Sequence, residues 1–561
     1  MTYLTVPPRL IATSIVALIL LMSTGFAQEE HQHEQEVVPA DAPVPLFEGL
    51  GDHHLPITTS SETAQQYFDQ GLIFTYGFDH FEAVRSFEEA TRHDPDCAMC
   101  YWGVSLAQGP HINAAMSPDA VAPAYDALQR ALELAPKASD REQAYIEALS
   151  ARYLADPPED RSDLDRAYAA AMAELVQQYP DDLDARTLYA ESLMNLMPWN
   201  YWTEDGEPRA ETVDVTEALE TVLEQEPYHP GATHYYIHLM ELPYPERAEE
   251  AADNLSELDI QIGHMIHMPS HIYARVGRWH DASVANQNAI AADEAYLAAY
   301  EVEGLVPLLY HPHNIHFLSW TAGMEGRGAL ALESARDLVA ATPQELAGDL
   351  PFLNPFLSMP LLTMVRLGEW DGIMAEPEPP AELPYQVAIW HYARGLALTA
   401  QGNLDEAQRE VASLSAIAQS DEAQALELPE AFFPGGTMMA VADHVLQGEF
   451  ALAQGDEAAI AYLEEAVALQ ESLPYMEPPF WFASARLNLG GALLTLDRPE
   501  AAEAVYRADL EEYPHNGWAL YGLAESLRAQ DKLGEAEAVE QQFEEAWQHA
   551  DTTPTVTIGE R

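Results

Sequence analysis

Ten of the chain's 21 histidines lie between His229 and His316. In "HYYIHLME" (234–241), His234, His238 and Glu241 are spaced i, i+4 and i+7. In "HMIHMPSHIY" (264–273), His264, His267 and His271 follow at similar spacing, and Arg275 extends the row. On a helix turning about 100° per residue, each set occupies a stripe roughly 60° wide. A third group, His311, His313 and His316, sits in "HPHNIHFL" (311–318). Neutral imidazoles bind zinc, copper or iron, and a His-x3-His pair chelates from one helical face. These eight histidines are therefore candidate metal ligands. Glu241 could ligate, orient an imidazole or act as a general base. Arg275 could hold an anionic substrate, and it stands with Glu241 as a candidate catalytic residue. Met240, Met265 and Met268 interleave with the histidines, and thioethers favour copper. The competing reading is plainer: buried histidines bonded to carbonyls, or polar aromatic contacts along a peptide groove. Pro269 should kink the second helix or begin it, which would move His264 and His267 into a preceding turn.

Other chemistry is poorly represented. There is no Gly-rich phosphate loop, no nucleophile elbow and no His-Glu-x-x-His. The two cysteines, Cys97 and Cys100, lack the following histidine of a haem attachment and cannot build a four-sulfur zinc site. In an oxidising compartment such a pair is expected to form a local disulfide. At a helix N-terminus it could alternatively be redox-active. "MPWNYW" (197–202) gathers Trp199, Tyr201 and Trp202, either for packing or as a wall on which a ligand stacks.

The chain must position these side chains with 561 residues, 48% of them hydrophobic, enough for a large core. Asp and Glu total 92 against 25 Lys and Arg, and Lys137 and Lys532 are the only lysines. The formal net charge of -67 repels phosphate backbones and argues against a nucleic-acid partner. Arg9, the apolar run "IATSIVALILLM" and small residues at Gly25 and Ala27 read as a signal peptide over 1–27. The run is short for a membrane span, although an uncleaved anchor is the alternative. The expectation is an exported protein, periplasmic or secreted, with no transmembrane span after cleavage. Residues 28–60 are acidic and contain prolines, and read as a flexible lead-in.

Beyond residue 60, alanine, leucine and glutamate recur at helical spacing. A 34-residue window from Ala64 puts Tyr67, Gly71, Phe74, Ala83, Phe87, Ala90 and Pro95 on the marks of the tetratricopeptide (TPR) pattern, with Gln70 as the one mismatch. A window from Ala483 matches at Leu489, Gly490, Leu493, Ala502, Tyr506 and Pro514. Windows from Ala388 and Pro312 match at fewer positions: Gly395, Leu398 and Ala407, then Leu318, Ala331 and Pro343. The chain thus resembles the TPR superfamily, which implies an all-α solenoid, a right-handed superhelix of helix pairs. The expected layout is an N-terminal array over 61–374, a Pro/Glu linker at 375–385, a C-terminal array over 386–549 and a tail at 550–561. "YFDQGL" (67–72), "DPDCAMCYWG" (94–103), "HYYIHLME", "HMPSHIY" and "HPHNIHFL" also resemble a group of exported bacterial TPR proteins, a likeness that implies fold and export but no reaction.

In that frame the histidine helices are the first helices of successive repeats, which line the inner groove. The leading functional expectation is a metal ion (copper, zinc or iron) held by these histidines. The site could serve a metal-dependent oxidoreductase or hydrolase acting on a small anionic substrate. The alternatives are a non-catalytic scaffold that binds a peptide or protein in the groove, and metal storage or delivery.

Overall fold

A computed structural model describes residues 44–557 apart from 204, 303 and 428–432, and also residue 559. The signal-peptide expectation and the first part of the lead-in lie outside the described residues. The described chain is largely helical, and its strand-like pairings include the isolated bridges Leu50–Ile260, His111–Ala114 and Trp202–Pro208. No described helix is long and apolar enough to cross a membrane.

Two compact units emerge. The first comprises residues up to Ile272 together with Asn288–His311; the second comprises Tyr273–Gln287 and the chain from Pro312 onward. In the first unit the helices run α1 (Glu62–Tyr76), α2 (His80–His93), α3 (Ala98–Ala107), α4 (Val121–Leu134), α5 (Asp140–Ser150), α6 (Ser162–Gln178), α7 (Leu183–Met194), α8 (Ala210–Gln225), α9 (Pro230–Met240), α10 (Glu249–Glu257) and α11 (Gly263–His267). Helices α12 (Pro269–Arg275) and α13 (Trp279–Ala299) each contribute residues to both units. In the second unit α14 (His311–Met324, of which His311 itself belongs to the first unit), α15 (Gly328–Ala341), α16 (Asn354–Leu367), α17 (Trp370–Ala375), α18 (Pro384–Ala400) and α19 (Leu404–Ala418) are followed by α20 (Asp421–Ala425), α21 (Gly435–Ala453), α22 (Ala458–Glu471), α23 (Ala485–Thr495), α24 (Pro499–Glu512), α25 (Gly517–Ala529) and α26 (Leu533–Ala546). The Pro/Glu stretch connects α17 to α18 in the second unit.

Helices adjacent in sequence pack as TPR-type hairpins: α1 on α2, α18 on α19, α23 on α24, α25 on α26. The consensus residues explain the close crossing. Phe87 on α2 is fully buried, and its ring lies against Gly71 on α1 and Gly103 on α3; a Cβ at either glycine would collide with it. Tyr506 plays the same part between Gly490 and Gly522 in the second unit. Side-chain caps fix several helix starts: Ser61 accepts from Ala64 N–H, Asp79 from Glu82 N–H and Asp182 from Ala185 N–H.

The lead-in departs from expectation. Residues 44–60 are not a free segment but a strap packed on the first repeat. Val44 and Leu55 are buried, and Tyr67 Oη donates to the Val44 carbonyl at 2.9 Å. Gln70, the mismatch in the first window, holds the strap: its Nε2 donates to the Pro45 carbonyl at 3.0 Å and its Oε1 accepts from Phe47 N–H at 2.9 Å. The backbone N–H of Gln261 donates to the Gly49 carbonyl at 2.6 Å. Burying each apolar strap residue contributes about 1.5–3 kcal/mol, which offsets the chain entropy that acidic composition alone would leave dominant. The tail is also engaged, because the Asp551 carboxylate accepts from Gly328 N–H at 2.6 Å inside the second unit.

Candidate metal centre

The first unit concentrates the chemistry. Helix α9 carries His234 and His238, with Glu241 as its C-cap residue. Helix α11 carries His264 and His267, and α12 carries His271. Pro269 does begin a new helix, but the backbone stays right-handed helical through Met268 (φ -52°, ψ -39°). His267 and His271 therefore remain neighbours, with their Nε2 atoms 2.9 Å apart. One of those nitrogens donates and the other accepts. Ser270 Oγ lies 3.3 Å from His267 Nδ1.

His234 is fully buried. Its Nδ1–H donates to the Tyr76 carbonyl at 2.6 Å, which fixes the tautomer and leaves a lone pair on Nε2. That Nε2 is buried without a hydrogen-bond partner, and so are both ring nitrogens of His264, a residue only 6% exposed. Orphaned buried nitrogens cost about 1–3 kcal/mol each. His234, His238 and His264 each present one ring nitrogen, and the three lie within 4.8 Å of one another. Burial pushes the His234 imidazolium down to about 3. Burial and the neighbouring imidazoles of His234 and His238 push His264 well below the usual histidine range. Both rings are neutral at pH 7, the form that ligates a metal.

Aromatic rings clamp the cluster. Phe78 adopts φ +57°, a left-handed conformation costly for a bulky residue, and its ring lies 4.6 Å from His234 and 4.8 Å from His111. Tyr310 stacks on His264 at 4.4 Å, and Trp199 meets His238 edge-on at 4.9 Å. Glu241 Oε2 sits 3.5 Å from His238 Nδ1 and 3.6 Å from His271 Nδ1, so one buried carboxylate faces two imidazoles.

A second constellation is built differently. Asp184 Oδ1 lies 2.8 Å from His53 Nε2, 3.5 Å from His229 Nε2 and 2.6 Å from the Tyr76 hydroxyl that donates to it. Burial would raise the Asp184 carboxyl, but the bonds from His229 and His53 carry it far below the carboxylate range. Burial works against charge on His53, yet Asp184 raises its pKa. The three ligand atoms are again within 4.8 Å, but they already satisfy one another. This cluster is a clasp that ties the strap to α7 and α9.

His311 Nδ1 lies 3.5 Å from Asp293 in the first unit. In the second unit His313 contacts Phe317 and His316 contacts Phe356, and burial lowers His316 to about 3. Arg275 also belongs to the second unit, where its Nε is 3.8 Å from Glu477 and its guanidinium lies over Tyr475. Cys97 and Cys100 form a disulfide at the start of α3. Spacing alone overlooked Phe78, Asp79, Asp184, His229 and Tyr310. The one available signal was Gln70, a polar residue at a large apolar mark of the repeat.

No protein-family model matches the chain, and no curated protein matches it. Similar solved structures include the human IFIT1 dimer with m7Gppp-AAAA (10% identity, TM-score 0.29, 87% of this chain and 90% of that one). Yeast Tom70 aligns at 14% identity and TM-score 0.28 over 87% of this chain and 92% of its own. Naa15/Naa10 bound to HypK-THB aligns at 14% identity and TM-score 0.21 over 86% and 71%.

Proposed function

We propose that this protein is an exported TPR-type scaffold whose first unit holds one transition metal ion on His234, His238 and His264. The observation that carries this reading is the His234 ring. A carbonyl fixes its tautomer, and its other nitrogen points, unpaired and buried, toward two further imidazoles. Metal-bound histidines are oriented by such a bond on the distal nitrogen. Metal–nitrogen bonds of about 2.0–2.1 Å would bring the nitrogens to roughly 3.3 Å apart, so each would move inward by at most about 1 Å. Three protein ligands leave a coordination position open, the arrangement of catalytic rather than structural sites. Glu241, facing His238 and His271, is placed to orient the ligand ring or to accept a proton from a molecule bound at the open position. Burial of the imidazoles favours an ion over a peptide, which would need exposed contacts. The imidazole set suits zinc, iron or copper.

Cobalt(II) provides the test. The metal-free protein should take up one Co(II) with visible d–d absorption. His264→Ala should abolish the bands, while His53→Gln in the clasp should preserve them. Cobalt binding that survives His264→Ala, or that disappears with His53→Gln, would refute the assignment.

A further inference from the structure

A cavity of about 50 Å³ adjoins His264 in the first unit. Roughly 10–15 Å³ of such space holds one water, so it admits about four non-hydrogen atoms. Its wall carries three carboxylic side chains, Glu48, Asp79 and Asp293, and no lysine or arginine. Phe47, Phe74 and Tyr296 form an aromatic side, with Phe47 edge-on to Phe74 at 5.4 Å and to Tyr296 at 6.0 Å. The Tyr296 hydroxyl is turned away and donates to Glu82 at 2.6 Å. Carboxylates beside ring faces are the chemistry that recognises an organic ammonium. A bare divalent cation would demand six or more oxygen ligands instead.

His264 adds an independent observation. Both of its buried ring nitrogens lack partners, and a metal accounts for only one. A neutral imidazole ligating through one nitrogen carries a hydrogen on the other. That N–H needs an acceptor, and the cavity is lined by the same ring.

We propose that this cavity binds a small amino alcohol of ethanolamine size. Its ammonium group meets Asp79 and Asp293, its carbons lie against Phe47 and Phe74, and its hydroxyl oxygen accepts from His264. The pocket shares His264 with the proposed metal centre but does not depend on a metal being present, so the two readings fail separately.

The experiment is calorimetric titration of the full chain, metal-free and metal-loaded, with ethanolamine, propylammonium, acetate and calcium. Ethanolamine should bind saturably to both forms and at least fivefold more tightly than propylammonium; acetate should not bind. Asp79→Asn should weaken ethanolamine at least tenfold. Glu48→Gln, at an exposed position where folding is not at stake, should weaken it two- to threefold. Absence of saturable ethanolamine binding, preference for calcium, equal affinity for propylammonium, or affinity indifferent to both substitutions would overturn the proposal.

Discussion

Asp79 is a costly residue to keep, and its removal gives a quantitative prediction. Its carboxyl is buried, close to Glu82 and Asp293, and its Oδ1 caps α2 by accepting from Glu82 N–H at 3.2 Å. Burial first, and the Glu82 charge second, raise its pKa to about 7. In the unfolded chain the value is about 3.9. The folded state therefore binds the extra proton between those two values. Stability from this group is intact below about pH 4 and declines as pH rises toward 7. Three units at about 1.36 kcal/mol each set a ceiling near 4 kcal/mol on the loss. Asn keeps the capping oxygen at nearly equal strength and does not titrate. The Asp79→Asn variant should match the native protein near pH 4 and exceed it by up to about 4 kcal/mol at pH 8. Urea unfolding of both proteins across pH 4–8 measures this, because titrating groups not coupled to Asp79 cancel in the difference; Glu82 and Asp293, which are coupled to it, act in the same direction through the repulsion the variant removes. A difference that is independent of pH, or that grows toward acid, would refute the reasoning. Asp79 also lines the cavity proposed to bind an amino alcohol.

Three further outcomes follow from the same structure. His53→Gln should release the strap, read as faster proteolysis within residues 44–60 while the α-helical circular dichroism is kept. In the native protein, the His53 contribution is complete below about pH 6.5 and is lost as pH rises through its raised folded value, so protection of the strap should fall on the alkaline side. Phe87→Ala should cost about 3–5 kcal/mol, because Gly71 and Gly103 offer no side chain to fill the space, and the midpoint of urea unfolding reports it. Reducing the Cys97–Cys100 disulfide, which closes a loop of about four residues, should cost about 2 kcal/mol and leave the helix content unchanged.

The repeat frame was legible because close packing leaves a mark at fixed positions. A small residue at Gly71 and a large one at Phe87 are a sterically coupled pair, and each window that matched, from Ala64 to Ala483, coincides with an observed helix hairpin. The histidines were legible for a similar local reason, since i, i+4 spacing on α9 needs no tertiary knowledge to place His234 beside His238. What spacing could not carry was long-range closure. His53 meets Asp184 across 131 positions, and the Tyr76 carbonyl that fixes His234 is 158 positions away. Composition misled for the lead-in: an acidic, proline-containing stretch was read as flexible, whereas Val44, Leu55 and the bonds to Gln70 anchor its second half. Helical phase misled for Arg275, which continues the histidine row in sequence but meets Glu477 and Tyr475.

The central claim, a metal ion on three buried imidazoles, is most directly tested by elemental analysis of the protein purified without a histidine tag, beside the His234→Ala/His264→Ala double variant. The account predicts close to one zinc, iron or copper per chain in the native protein and almost none in the variant, with the helix content of both alike. No metal in the native protein even after reconstitution with all three ions, or equal metal in the variant, would contradict it.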